Sequence, residues 1–265
     1  MQIHVVRPGQ TLWSIGREYG VLPGLLARFN GLTEPYRLSV GQAILILRPE
    51  SLYTVQPGDT VFRIAQKFSL TQSGLYRLNP GLSSQERLYP GQVLVTSIED
   101  RPTEKTTLLG YAYPWANERT LRGILPYADT LVPFTYGFTE AGELVEPDDE
   151  GLLALAKEFG AEALLHLSTL TEQGSFSAQR AGAVLGDDAA RGALIQNTVR
   201  VMREKGFAGV DVDFEYLGRA LAASYAAFLR ELADAVHAAG GYLMAALAPK
   251  TSDDQPGVLY EGHDY

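Results

Sequence analysis

The stretch GVDVDFEY, from Gly209 to Tyr216, decides how the rest of the chain is interpreted. Side chains of a β-strand point alternately to its two faces. The apolar residues of this stretch then share one face: Val210, Val212 and Phe214. The carboxylates share the opposite face: Asp211, Asp213 and Glu215. Burial of unpaired carboxylates is costly, so their clustering on a buried strand indicates a functional site.

Strands and helices alternate on both sides of this stretch. From Leu108 onward, the largely apolar segments LLGYAYPW, TLVPFTYGF, ALLHLSTL and YLMAALAPK alternate with segments of helical pattern. Strict alternation predicts parallel βα units, and apolar strands are typical of a parallel sheet covered by helices. We therefore predict an α/β fold, a (β/α)8 TIM barrel, in residues 108–265.

The length of this region does not match a complete barrel. A barrel takes about 250 residues, whereas residues 108–265 hold only five of the eight strands that it needs. We expect the chain to be the front part of a longer protein, and a short, open half-barrel is the alternative.

The acidic face of the strand should rise toward the mouth of the barrel. Active sites of such barrels lie at the carboxyl ends of the strands, and residues two apart on a strand are about 6.6 Å apart. Glu215 would then be the topmost acid. Shared protons raise the apparent pKa of the upper group, which suits an acid that protonates a glycosidic oxygen. The alternatives are a surface strand with solvated acids and a divalent-metal site.

The residues from Ala208 to Glu215 resemble the D-G-x-D-x-D-x-E signature of glycoside hydrolase family 18. That family contains chitinases and N-acetylglucosaminidases on a (β/α)8 barrel. The resemblance implies that the substrate's own N-acetyl group is the nucleophile and that stereochemistry is retained. It implies that Glu215 is the general acid/base, that Asp213 orients the acetamido group and stabilises the oxazolinium intermediate, and that Asp211 couples electrostatically to Asp213. Ala208 replaces the family's first Asp, and the Tyr and Trp that the family carries on its sixth and eighth strands would lie beyond Tyr265.

The N-terminal part of the chain is a tandem repeat. HVVRPGQTLWSIGREYG (4–20) aligns with YTVQPGDTVFRIAQKFS (53–69), and LSVGQAILIL (38–47) aligns with LYPGQVLVTS (88–97). Turn residues, an N-cap threonine and helical spacing of apolar residues predict β-α-α-β in each unit, a small α+β domain. We place the domains at residues 1–48 and 52–97, followed by a polar linker at residues 98–107.

Both units resemble the LysM module, through V-x-P-G-(D/Q)-T-(L/V)-(W/F)-x-I at the start and G-Q-x-(L/I) near the end. Modules of this family bind N-acetylglucosamine-containing glycans between two loops. By position, the resemblance implies these glycan-binding residues in the first unit: Gly9, Gln10, Thr11, Leu12, Asn30, Gly31 and Leu32. In the second unit they are Gly58, Asp59, Thr60, Val61, Asn79, Pro80, Gly81 and Leu82. The alternative is that these Pro-Gly and Asn-Gly pairs only form turns.

Aromatic and histidine residues supply further candidates. Tyrosines near strand ends could stack on sugar rings, although tyrosine is also an ordinary core residue; the candidates are Tyr111, Tyr113, Tyr136 and Tyr216. The four histidines show no metal-ligand spacing, and His166 is expected to be a satisfied barrel residue rather than a base. We predict neither a cofactor nor a metal site.

Composition narrows the class of protein. The chain of 265 residues has 31 Asp and Glu against 22 Lys and Arg, which disfavours nucleic acid and anionic membrane as partners. It has no cysteine, which excludes thiol catalysis, disulfides and cysteine–zinc sites. The sequence shows no signal-peptide pattern and no apolar run of the ~18 residues that a membrane span needs.

The order of the domains resembles that of the spore-germination N-acetylglucosaminidases of the YaaH/SleL type. This resemblance implies a spore-associated protein of the coat or cortex, whose partner is peptidoglycan or another N-acetylglucosamine-containing glycan. It implies cleavage of β-1,4 bonds after N-acetylglucosamine in cortex peptidoglycan. Two alternatives stay open: a non-catalytic, glycan-binding spore coat protein, and a chitinase that acts outside spores.

Overall fold

The chain forms two compact units in a computed structural model. The structure describes residues 2–33, 36–83, 87–99, 106–170, 175–252, 255–257, 259 and 261–263. The first unit comprises Met1–Thr107 with Asn117–Tyr127, and the second comprises Leu108–Ala116 with Ala128–Tyr265. Among the described residues, no helix combines the length and apolar character that crossing a membrane requires.

The first repeat has the predicted β-α-α-β order. Its elements are β1 (Gln2–Val5), α1 (Leu12–Tyr19), α2 (Pro23–Phe29) and β2 (Ala43–Ile46). β1 and β2 pair antiparallel. Thr11 caps α1, because its side chain accepts a hydrogen bond from the Ser14 amide while the Ser14 hydroxyl accepts one from the Thr11 amide. Ile15, Leu26 and Ile44 are completely buried between the helices and the strand pair.

The second repeat has the same order. Its elements are β3 (Pro49–Thr54), α3 (Val61–Lys67), α4 (Gln72–Leu78) and β4 (Val93–Ile98). The strands pair antiparallel, and Thr60 caps α3 through the amide of Arg63. β3 begins at Pro49, three residues before the boundary that the sequence suggested.

The second unit is built on a sheet of five parallel strands. They are β5 (Leu109–Ala112), β6 (Thr130–Pro133), β9 (Glu162–Ser168), β10 (Gly209–Asp213) and β11 (Tyr242–Ala245). Their order across the sheet is β11-β10-β9-β6-β5. This arrangement confirms the predicted partial (β/α) barrel, because sequential strands lie side by side and every pairing in the sheet is parallel.

Helices and one small hairpin connect these strands. The helices are α5 (Glu118–Ile124), α6 (Glu150–Phe159), α7 (Ala178–Gly186), α8 (Asp188–Lys205) and α9 (Ala222–Ala238). The hairpin pairs β7 (Gly137–Phe138) with β8 (Leu144–Val145). The segment TLVPFTYGF is therefore two short strands, β6 and β7, instead of the single strand that its apolar character predicted.

The apolar face of β10 carries the core of the second unit. Val210, Val212 and Phe214 are all completely buried, and Phe214 stacks on Phe228 of α9 with ring centroids 5.4 Å apart. Each such burial contributes about 1.5–3 kcal/mol. At Gly209 a Cβ atom would come within 2.1 Å of a backbone carbonyl oxygen on β11, so the close approach of these two strands requires glycine there.

Candidate active site

A cavity of about 550 Å³ lies at the carboxyl ends of the parallel strands. This is the end of the sheet where α/β barrels place their active sites. Its wall combines two carboxylates with aromatic side chains, and the side chains used below are Tyr111, Tyr113, Phe134, Asp213, Glu215 and His263.

The acidic residues of the opening stretch become more accessible toward this cavity. Asp211 is buried with 1% of its surface exposed, whereas Asp213 and Glu215 are half-buried and line the cavity wall. The strand ends at Asp213, so Glu215 lies two residues beyond β10, not on it as the alternation suggested. Asp213 and Glu215 nevertheless face the same cavity, while Phe214 between them points into the core.

Two side chains from other strands of the sheet, one on β5 and one on the adjacent β9, hold the Asp211 carboxylate. The Tyr111 hydroxyl donates to Asp211 Oδ2 at 2.8 Å, and His166 Nδ1 lies 2.9 Å from the same oxygen. Burial raises the pKa of Tyr111, and the hydrogen bond to Asp211 raises it further, so the hydroxyl stays a donor. Hydrogen bonds of this kind compensate for the burial of a charged carboxylate.

His166 lies between two of the acids. It is opposite Asp211 in the β9–β10 register, and only 1% of its surface is exposed. Its Nε2 is 3.9 Å from Asp213 Oδ2 and has no hydrogen-bond partner within the described part of the chain. The ring stacks on Phe134, with centroids 4.8 Å apart, and meets Tyr111 edge-on. The expectation of a fully satisfied histidine is therefore met at only one ring nitrogen.

The ionisation of Asp213 is strongly influenced by its surroundings. Burial raises the pKa of the Asp213 carboxyl, because the charged form loses hydration. The negative charges of Glu215 and Asp211 raise this pKa further, whereas His166 and, more weakly, His263 lower it. Of the three acids, the middle one therefore lies where burial and its acidic neighbours favour the protonated form.

The candidate sugar-stacking tyrosines separate into different environments. Tyr111 and Tyr113 line the cavity, and Tyr113 stacks on the exposed Trp115, with ring centroids 4.6 Å apart. Tyr216 is 44% exposed, but it is not part of the cavity wall. Tyr136 is completely buried; its hydroxyl lies 2.5 Å from Asp149 Oδ2 and accepts a hydrogen bond from Lys205. Tyr136 therefore lies in the core, away from any position where a sugar could stack.

Three candidates for functional residues were not identified from the sequence. Phe134 and His263 line the cavity, and Trp115 extends the aromatic surface of Tyr113. Trp115 could have been found from the sequence, since it ends the aromatic run of LLGYAYPW. His263 could not, because only the folded chain brings it next to Phe214, whose carbonyl oxygen lies 3.0 Å from its Nε2.

In the repeats, the two asparagines proposed to bind glycan hold the fold together. Asn79 is buried, and its amide nitrogen donates to the carbonyls of Leu75 and Val95 while its Oδ1 accepts from the Val95 amide. Asn30 makes the same bonds to Leu26 and Leu45. In each repeat, the asparagine side chain thus bonds the end of the second helix to the second strand. The polar atoms of both side chains are therefore engaged by the backbone instead of by a glycan.

The residue after each Pro-Gly pair also has a structural role. Gln10 Oε1 accepts from the Arg7 amide at 2.8 Å, and Asp59 Oδ2 accepts from the Gln56 amide at 2.7 Å. Both side chains therefore close the same turn, which explains how glutamine can replace aspartate in the first repeat.

The remaining glycan-binding candidates divide by exposure. Leu12 and Leu82 are buried, and Thr11 and Thr60 are helix caps. The exposed or half-buried candidates are Gly9, Thr11, Gly31, Leu32, Gly58, Thr60, Val61, Pro80 and Gly81. Beside these loops, Trp13 and Phe62 occupy matching positions in the two repeats and are 71% and 59% exposed.

The fold and the cavity define the class of protein. A parallel β/α sheet with a carboxylate pair and aromatic rings at its carboxyl end is the arrangement expected of a glycoside hydrolase. Residues 107–264 match the model of the glycosyl hydrolases family 18, and residues 4–46 and 53–97 match the LysM domain. The chain belongs to glycosyl hydrolases family 18 and carries two LysM domains. Both resemblances drawn from the sequence are thereby confirmed.

Similar proteins match this chain along nearly its whole length. The cortical fragment-lytic enzyme of Bacillus subtilis (strain 168) is 32% identical over 271 residues, covering 100% of this chain and 62% of that protein. The cortical fragment-lytic enzyme of Bacillus anthracis is 30% identical over 268 residues, with the same coverage. The crystal structure of the Bacillus megaterium QM B1551 spore cortex-lytic enzyme SleL matches with a TM-score of 0.75 and 28% identity, over 99% of this chain and 62% of that one. The chain thus spans somewhat less than two thirds of the length of these relatives.

Proposed function

We propose that this protein is a retaining glycoside hydrolase that cleaves β-1,4 bonds after N-acetylglucosamine in the peptidoglycan of the spore cortex. The observation that carries the proposal is the placement of Asp213 and Glu215 on one wall of an aromatic-lined cavity in a family 18 domain. The names of the relatives, which refer to cortex lysis, support this substrate and a role in spore germination. They also support a location in the spore.

Each carboxylate has a distinct role in this reaction. The carbonyl oxygen of the substrate's N-acetyl group attacks the anomeric carbon, and the glycosidic bond breaks as Glu215 gives its proton to the leaving oxygen. Asp213 orients the acetamido group and stabilises the positive charge of the oxazolinium ring that results. Glu215 then takes a proton from the water that opens this ring, which restores the acid and retains the configuration. Asp211 is held in place by Tyr111 and His166. Its role is to couple electrostatically to Asp213.

The LysM domains would hold the enzyme on its polymer. Two weak sites on one chain raise the effective affinity for a repeating glycan far above that of either site. The accessible backbone of the Pro-Gly and Asn-Gly loops, with Trp13 and Phe62 beside them, offers polar groups and apolar surface for N-acetylglucosamine units.

Replacement of the acid tests the proposal. Glu215→Gln keeps the shape and loses the proton, so release of fragments from cortex peptidoglycan should fall about 10²–10⁴-fold. Sedimentation with insoluble peptidoglycan should be unchanged, because the LysM domains are intact. Glu140→Gln, at an exposed acid between β7 and β8, is the control and should retain full activity. Activity of Glu215→Gln within a few-fold of wild type would refute the assignment.

A second candidate function is a non-catalytic, glycan-binding protein of the spore coat. One observation favours it: Ala208 stands where the family 18 signature has its first aspartate. This candidate predicts that the wild-type chain sediments with peptidoglycan and releases no fragments. The same assay on chitin tests the chitinase alternative, which predicts faster release from chitin than from cortex.

A further inference from the structure

The ring of His166 is bonded at one nitrogen and faces a second acid with the other. Nδ1 pairs with Asp211 Oδ2 at 2.9 Å, and Nε2 faces Asp213 Oδ2 at 3.9 Å. The second distance is too long for a hydrogen bond and short enough for an ion pair. No described residue offers Nε2 a hydrogen bond, and a buried ring nitrogen without one is costly, so this position calls for an explanation beyond packing.

The chemistry of the neighbours selects one form of the ring. An ionised carboxylate only accepts hydrogen bonds, and both nitrogens of His166 face carboxylates. A neutral imidazole has one donor and one acceptor, so it would leave a lone pair pointing at an acid. The imidazolium form has two donors and matches both neighbours.

His263 offers a useful contrast at the same cavity. Its Nε2 donates to the Phe214 carbonyl at 3.0 Å, and its Nδ1 accepts from the Ala248 amide at 3.4 Å. Both ring nitrogens of His263 therefore lie within hydrogen-bond distance of a backbone group, whereas Nε2 of His166 has no such partner within the described residues.

We propose that His166 is a positioning residue whose imidazolium spans Asp211 and Asp213 and keeps Asp213 ionised for the charged intermediate. This inference rests on the proposed function, since it assigns Asp213 the stabilisation of a cation. The titratable groups around the ring and the two acids are Tyr111 on β5, Asp211 and Asp213 on β10, Glu215 beyond it, Tyr225 on α9, and His263. The charges of Glu215 and Asp211 disfavour ionisation of Asp213, whereas the charge of His166 favours it.

Replacement with asparagine separates charge from bonding. In His166→Asn, an amide N–H can replace Nδ1 toward Asp211, but no charge faces Asp213. We expect the acidic limb of kcat/KM against pH to move up by about one pH unit, measured on a fluorogenic N-acetylglucosamine oligosaccharide with the full chain. The loss of rate should then be about tenfold at the acidic end and should shrink toward neutral pH. His237→Asn, at an exposed position on α9, is the matched control and should leave the profile unchanged.

A second measurement on the wild-type chain needs neither activity nor a stable variant. Nitrogen-15 shifts of the His166 ring distinguish the imidazolium from the two neutral forms. We expect two protonated nitrogens in the pH range where the enzyme is active or, if the chain cleaves nothing, between about pH 5 and 6. A neutral ring there would overturn the inference, as would a His166→Asn variant that loses activity without a shift of its pH profile. Because the ring can be observed in an inactive chain, failure of the proposed function would remain distinguishable from failure of this inference.

Discussion

Replacement of Asn79 by alanine separates a structural role from a glycan-binding role. The side chain makes three hydrogen bonds to backbone groups of α4 and β4 and is 1% exposed. Each bond contributes about 0.5–1.5 kcal/mol, so the loss of all three should destabilise the second repeat by about 2–4 kcal/mol. The estimate is supported by the burial of the site, because the abandoned groups on Val95 would have little access to water.

Native-state hydrogen exchange measures this effect where it occurs. A loss of 3 kcal/mol corresponds to about a hundredfold increase in the exchange of the slowest amides in the second repeat. Asn30→Ala removes the equivalent bonds in the first repeat, and it should have a smaller effect because Asn30 is only partly buried. Sedimentation with peptidoglycan is recorded in parallel. Unchanged exchange together with lost glycan binding would refute the structural role and return Asn79 to the ligand contacts.

Two further predictions concern hydrogen bonds to carboxylates. Tyr111→Phe removes a donor from the buried Asp211, so kcat/KM on cortex peptidoglycan should fall about tenfold or more with folding preserved; an unchanged rate would contradict the role of that bond. The bond from the Gln56 amide holds the pKa of Asp59 below its usual range, so the ionised side chain stabilises the turn above about pH 4, and this contribution is lost as the pH falls through the lowered value. The melting temperature should therefore vary less with pH between about pH 5 and 2 in Asp59→Asn than in the wild type. Equal pH slopes of the melting temperature in these two proteins would contradict a stabilising role of the ionised Asp59. Gln10 makes the corresponding bond without a titrating group, which makes the first repeat an internal control.

The architecture could be predicted because its signals are local. The turn residues, the threonine caps and the period-two alternation around Val212 all depend on neighbours within a few residues. One exception is also local: TLVPFTYGF is broken after Pro133, which has no amide hydrogen for a sheet ladder. Apolar character alone could not reveal this break.

The candidate site was predictable only along its own strand. Alternation placed Asp211 and Asp213 on one face, but the register between strands that sets His166 beside Asp211 depends on the whole sheet. The repeats show the converse case. Asn79 follows a helix in a loop position that suits a ligand, and only the folded chain shows that its amide is used by the backbone of β4.

Control of the charge on Asp213 requires opposing influences in one small volume. A substrate that fills the cavity expels water, and loss of water favours the protonated acid, which could not stabilise a positive intermediate. The negative charges of Glu215 and Asp211 also favour the protonated form of Asp213. A cation placed behind Asp213, on the side away from the cavity, counteracts all three effects without occupying space that the sugar needs. His166 has that position on β9, where the rings of Phe134 and Tyr111 cover it. A cationic residue on the cavity wall could be equally close to Asp213, but it would contact the substrate.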